Sequence, residues 1–122
     1  MTLSCTLSLI SCDKNKVAHP GFDNSVITKV EGPVSVAVGQ EIDLQVTLQG
    51  YNGCAVSGQL QENIYGNTHI IKGKVIYEGD ACFQALVSIV KTYKFKGSAN
   101  GTYELKFLKV DNTFITHTIT VD

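Results

Sequence analysis

From residue 26 to the end of the chain, apolar and polar positions alternate with a period of two almost throughout. No stretch holds apolar residues at i, i+3, i+4 and i+7 through three turns. The pattern predicts strands. Ile42, Leu44, Val46 and Leu48 alternate with Asp43, Gln45, Thr47 and Gln49, as in a strand with one buried and one wetted face. Before it, residues 26–30 and 34–38 flank Glu31-Gly32-Pro33, which predicts one strand broken by a kink. Gly39-Gln40 and Gly50-Tyr51-Asn52-Gly53 are turns, rich in residues that tolerate positive φ. A weaker strand over 54–62 is separated by Tyr65-Gly66-Asn67 from a longer one over 68–78. Residues 82–96 read as a single run bent near 87–89, with Ile89, Tyr93 and Phe95 on one face. After a loop over 97–101, Tyr103, Leu105 and Phe107 alternate with Glu104 and Lys106. The turn Asp111-Asn112 then leads to Ile115, His117, Ile119 and Val121. About seven strands with turns at this spacing predict an all-β, antiparallel sandwich over residues 25–122.

Composition narrows the class without naming a task. The chain has 122 residues, 43% of them hydrophobic, with a formal charge of −1, so it carries no basic footprint for nucleic acid. All ten basic residues are lysines, which removes the side chain best suited to clamp phosphate or carboxylate bidentately.

The N-terminal residues alter the reading of the cysteines. An apolar run ends in Leu9-Ile10-Ser11-Cys12 and is followed by Asp13-Lys14-Asn15-Lys16. These residues resemble the lipobox of bacterial lipoproteins: an aliphatic residue, a variable one, a small one, then cysteine. The resemblance implies that residues 1–11 are a signal peptide and that Cys12 is lipidated. Residues 12–24 then form a tether, and the protein is held by its N-terminal lipid on the bacterial cell envelope, at the periplasmic or surface face of the outer membrane. The segment departs from the pattern in having no lysine or arginine before Cys12 and in its diluting Thr2, Ser4, Thr6 and Ser8. Its competing reading is an N-terminal strand with alternating Leu3, Cys5, Leu7 and Leu9. In an exported protein the remaining pair, Cys54 and Cys82, reads as a disulfide, against two buried thiols or half of a metal site.

Two short pieces carry a second resemblance, to immunoglobulin-like modules of bacterial envelope proteins. Val38-Gly39-Gln40-Glu41 opens an alternating strand, and Gly101-Thr102-Tyr103 is similar to a tyrosine corner, which implies that Tyr103 bonds back across its loop. The chain departs from antibody domains in lacking tryptophan and in the placing of its cysteines.

Candidate chemistry is sparse. His19, His69 and His117 show no metal spacing, no cofactor motif occurs, and His117 on an apolar face reads as a partly buried histidine bonded to backbone. No G-x-S-x-G is present. Carboxylates for glycoside hydrolysis would have to come from Asp43, Glu62, Glu78, Asp80 or Glu104; of these, Asp43 and Glu104 sit on polar faces and Glu78 and Asp80 bracket a glycine turn. Lys91, Lys94, Lys96, Lys106 and Lys109 would share an outer face if the strands carrying them pair. The sequence therefore points away from an enzyme and toward a binding or accessory module for a glycan or protein, with Tyr51, Asn52, Tyr65 and Asn67 as the candidate contact residues. The alternative is a periplasmic inhibitor or chaperone-like protein acting through an edge strand, with a small hydrolase ranked below both.

Overall fold

A computed structural model describes residues 26–122; the segment with Cys12, His19 and the lipobox resemblance lies outside the described residues. Eight strands follow one another in the described chain: β1 (Ile27–Glu31), β2 (Ser35–Val36), β3 (Glu41–Gly50), β4 (Ala55–Tyr65), β5 (Thr68–Tyr77), β6 (Val87–Lys96), β7 (Gly101–Leu108) and β8 (Phe114–Val121). They form two layers, a three-stranded sheet ordered β1-β3-β6 and a five-stranded sheet ordered β2-β8-β7-β5-β4. The all-β sandwich is thus as the alternation predicts.

The kink at Glu31-Gly32-Pro33 is where the first strand changes layers. β1 pairs with β3, whereas β2 pairs with β8 in the opposite sheet. Gly32 permits the crossing, because a Cβ there would overlap the Leu44 side chain. Most ladders are antiparallel, but β2–β8 and β5–β7 run parallel. In the second case the β4–β5 hairpin docks through its later strand. The chain then visits the other sheet through β6 before returning as β7, the kind of crossover that parallel pairing requires.

The interior is the set of inward positions that the period-two pattern selects. Leu44, Val46 and Leu48 from β3 face Ile71, Leu105, Phe107 and Ile119, all fully buried. Phe95 meets Tyr103 across the layers with ring centres 5.3 Å apart, and Tyr93 meets Phe107 edge-on at 5.7 Å. Leu48 is seated over Gly58 and Gly73, where any added Cβ would strike its methyl groups. Gly58 helps explain why β4 reads weakly from sequence: its buried face gives up a side chain so that the two layers can close around Leu48. The tyrosine corner is formed, with Tyr103 Oη donating to the Ala99 carbonyl at 2.9 Å. His117 takes the place expected of it, with Nε2 2.8 Å from the Pro33 carbonyl.

One expectation fails. Residues 82–96 are not one bent run, because the strand begins only at Val87. The preceding loop pairs instead with the β3–β4 turn, through Gly53 N–H donating to Phe83 O at 2.9 Å and through the Cys54–Cys82 contact described next.

Candidate functional site

The strands run between two ends, and the candidate residues divide between them. At the first end lie the β3–β4 turn, the β5–β6 loop, the β7–β8 turn and the start of β1. Cys54 and Cys82 stand at disulfide distance there, with Cα atoms 5.2 Å apart. Around them, Glu78 N–H donates to Cys54 O and Tyr51 N–H to the Tyr77 hydroxyl. Asn52 Oδ1 accepts from Cys54 N–H at 2.9 Å, so the side-chain carbonyl of Asn52 closes its own turn. These bonds hold apolar side chains in the open: Phe83 is 71% exposed, Leu86 69% and Tyr51 46%. Phe83 lies over Gly53, a position where a Cβ would collide with its ring. Val110, also exposed, lies on the β7–β8 turn, whereas exposed Phe114 pairs with Leu108 partway along the sheet and has the Lys106 ammonium 6.0 Å over its ring.

At the second end the β4–β5 hairpin turns through Gly66-Asn67, with Gly66 at φ 64°. Glycine at the first central position with positive φ is the type II′ arrangement, whose twist matches that of the strands it joins. Asn67 braces the hairpin against β7: its Nδ2 donates to Thr102 O at 3.2 Å, and its carbonyl accepts from Glu104 N–H at 2.9 Å. Ile64 and Tyr65 project from this tip, 58% and 63% exposed. Tyr51 and Tyr65 are therefore separated by the length of β4, about 30 Å at roughly 3.3 Å per residue. They form two surfaces and not one. Both asparagines bond to backbone, Asn52 half-buried and Asn67 still exposed beside Tyr65.

A third cluster was not legible from the sequence. Glu62, His69 and Tyr93 meet at the seam where β4 of one sheet lies over β6 of the other. His69 Nδ1 is 3.1 Å from Glu62 Oε2 and 3.2 Å from Tyr93 Oη, and Tyr93 Oη also donates to Glu62 Oε2. His69 is buried, packed edge-on to Tyr103 and tilted on Phe95. Here the carboxylate satisfies two buried ring donors, a requirement of the core that needs no substrate. The signal for it was an acid on an apolar face: the period of β4 puts Glu62 between Leu60 and Ile64.

The remaining candidates scatter. Lys91 faces inward at the seam near Gly58, Lys94 and Lys96 lie on the outer face of the three-stranded sheet, and Lys106 sits on the outer face of the five-stranded one. Lys94 and Lys96 share their face with no lysine of β7, because β6 and β7 belong to different sheets. Asp43 holds Lys94 at 3.1 Å with Glu41 at 3.9 Å, and the Asp43 hydrogen bond and charge raise the Lys94 pKa above its ordinary value. Thr113 donates both its hydroxyl and its backbone N–H to Asp111, which lowers the Asp111 carboxyl below its usual range. An open recess of about 280 Å³ beside Ser35, Val36, Ala37 and Asp122 contains a single carboxylate side chain. Among the described residues, no group of three His, Cys, Asp or Glu is placed to hold a metal, and no helix is long and apolar enough to cross a membrane.

Comparison of the chain with protein families, with curated proteins and with solved structures finds no match in any of the three.

Proposed function

We propose that this protein is a lipid-anchored, non-catalytic binding module of the bacterial cell envelope, held by acyl chains on Cys12 and engaging a glycan or protein ligand with the tip of its β4–β5 hairpin. The observation that carries the ligand half is the braced tip: Ile64 and Tyr65 exposed on a II′ turn that Asn67 fastens to β7. A tip held in one conformation loses little entropy when it binds, and a tyrosine offers a ring face together with a hydroxyl. The anchoring half rests on Leu9-Ile10-Ser11-Cys12, and the Cys54–Cys82 pair at disulfide distance is in keeping with an oxidising compartment.

The edge-strand alternative has its own observation, since β4 is eleven residues long and, among the described residues, pairs on one side only. That edge is guarded, however. A register shift between Ala55 and Ser57, the inward Glu62 and the inward Lys91 of β6 are devices that discourage an added strand. The tip is therefore preferred.

The test uses the full chain in its host, carrying a photoreactive phenylalanine analogue at position 65 or, as a comparison, at Val90 on the outer face of β6. The proposal expects one discrete crosslinked species from position 65 and none from position 90. Equal crosslinking from both, or none from position 65, contradicts it. Palmitate labelling that persists after Cys12→Ala contradicts the anchoring half.

A further inference from the structure

We infer that the end of the sandwich carrying Tyr51, Phe83 and Leu86 rests on the lipid bilayer itself, with these side chains entering the boundary between headgroups and acyl chains. The inference deepens the reading of Cys12 as lipidated and depends on it. Three observations converge. First, four of the large exposed apolar side chains, Tyr51, Val56, Phe83 and Leu86, belong to the β3–β4 turn, the start of β4 and the β5–β6 loop at this end, with exposed Val110 on the β7–β8 turn beside them. An exposed apolar surface of that kind marks contact with a partner or a membrane. Second, Phe83 and Leu86 are presented by a loop pinned to the β3–β4 turn by Gly53 N–H to Phe83 O and by the Cys54–Cys82 contact, so they remain exposed where a slack loop would fold them inward. Third, the chain joins the sandwich at this same end: Val26 O accepts from Gln49 N–H, and Ile27 pairs with Leu48 at the start of β1. Residues 13–25 link that point to Cys12, and even fully extended they reach at most roughly 45 Å. A lipid on Cys12 therefore keeps a bilayer within constant reach of this end, and the hairpin tip with Tyr65 lies at the far one.

Charge defines the kind of contact. Glu78, Asp80 and Asp111 outnumber Lys109 around this end, so attraction to anionic headgroups does not drive the approach. The contact is apolar and tethered, and it does not weaken as salt is raised.

The chain has no tryptophan, so Phe83→Trp in the full-length acylated protein supplies a single indole reporter. Leu86→Trp repeats the test at a second exposed site, and Tyr65→Trp reports on the opposite end. Each variant is reconstituted into vesicles of phosphatidylethanolamine and phosphatidylglycerol, with or without lipids brominated in the upper acyl chain. For a ring seated roughly 5–10 Å into the interface, emission from Phe83→Trp and Leu86→Trp moves to shorter wavelength and is about halved by bromine, at low and high salt alike. Tyr65→Trp stays at its aqueous wavelength and is not quenched. Protein that floats with the vesicles while position 83 and position 86 stay unquenched overturns the inference and leaves the anchor standing. Protein that neither floats nor carries acyl chains overturns the anchor and the inference together. A blue shift that grows with protein concentration but ignores bromine assigns this end to a second copy of the chain, and overturns the bilayer contact.

Discussion

Replacing Cys54 and Cys82 together by serine removes the link between the β3–β4 turn and the β5–β6 loop while leaving no lone thiol. The cysteines are separated by 28 positions, with Cα atoms 5.2 Å apart. A crosslink closing a loop of about 29 residues restricts the unfolded chain by roughly 12 cal/mol/K, or about 3.6 kcal/mol at 25 °C. For the about 97 described residues the unfolding entropy near the midpoint is roughly 0.2 kcal/mol/K, so the expected fall in Tm is about 18 °C. Thermal unfolding followed by circular dichroism gives the number directly, with the unsubstituted protein measured oxidised and reduced. The reduced protein should melt beside the double variant and the oxidised one well above both. A local reading accompanies the global one: the Gly53 amide, bonded to Phe83 O at 2.9 Å, should lose protection from hydrogen exchange before β3 or β7 does. Coincident melting of the oxidised, reduced and serine forms would refute the reasoning, since a loop of this length cannot be closed covalently without effect on the unfolded state.

Three further outcomes follow from the packing and the charges. Gly73→Ala drives a methyl into Leu48 and should cost about 1–3 kcal/mol by chemical denaturation, and a variant as stable as the parent would mean that the layers can spread apart at that point. Tyr93→Phe deletes the hydroxyl that donates to Glu62 and lies 3.2 Å from His69, and should destabilise by about 1.5 kcal/mol, against no change if the seam is already wetted. The Asp111 carboxyl, held below its usual range by Thr113, makes its contribution to the β7–β8 turn above the unfolded carboxylate pKa and loses it as pH falls through the lower folded value. An NMR titration should find that midpoint raised in Thr113→Val, and an unchanged midpoint would assign the shift elsewhere.

How much of this could be read from the chain depends on the range of the interactions involved. The layer-facing sets of β3 and β7 follow from alternation alone, because Leu44, Val46, Leu48, Tyr103, Leu105 and Phe107 repeat every second residue. The kink at Gly32-Pro33 is equally local, although its consequence, a strand shared between two sheets, appears only once Leu44 is in place. The loop before Val87 was missed because Phe83 and Leu86 continue an apolar pattern, while the bonds that take them out of the sheet come from residues some thirty positions earlier. Tyr51 and Tyr65 look alike in sequence, two tyrosines in glycine turns, but one strand length places them at opposite ends. The parallel β5–β7 ladder and the Glu62–His69–Tyr93 cluster join strands that are distant in the chain, and neither leaves a periodic trace. Even so, an acid in step with Leu60 on β4 is a visible sign that a donor across the seam would need it.

The central proposal is that acyl chains on Cys12 anchor the protein. The most direct measurement is the mass of the N-terminal proteolytic peptide from protein extracted from the envelope of its own host. The account predicts a peptide that begins at Cys12 and carries acyl chains released by lipase or alkaline hydrolysis. An unacylated peptide that retains residues 1–11 would contradict it.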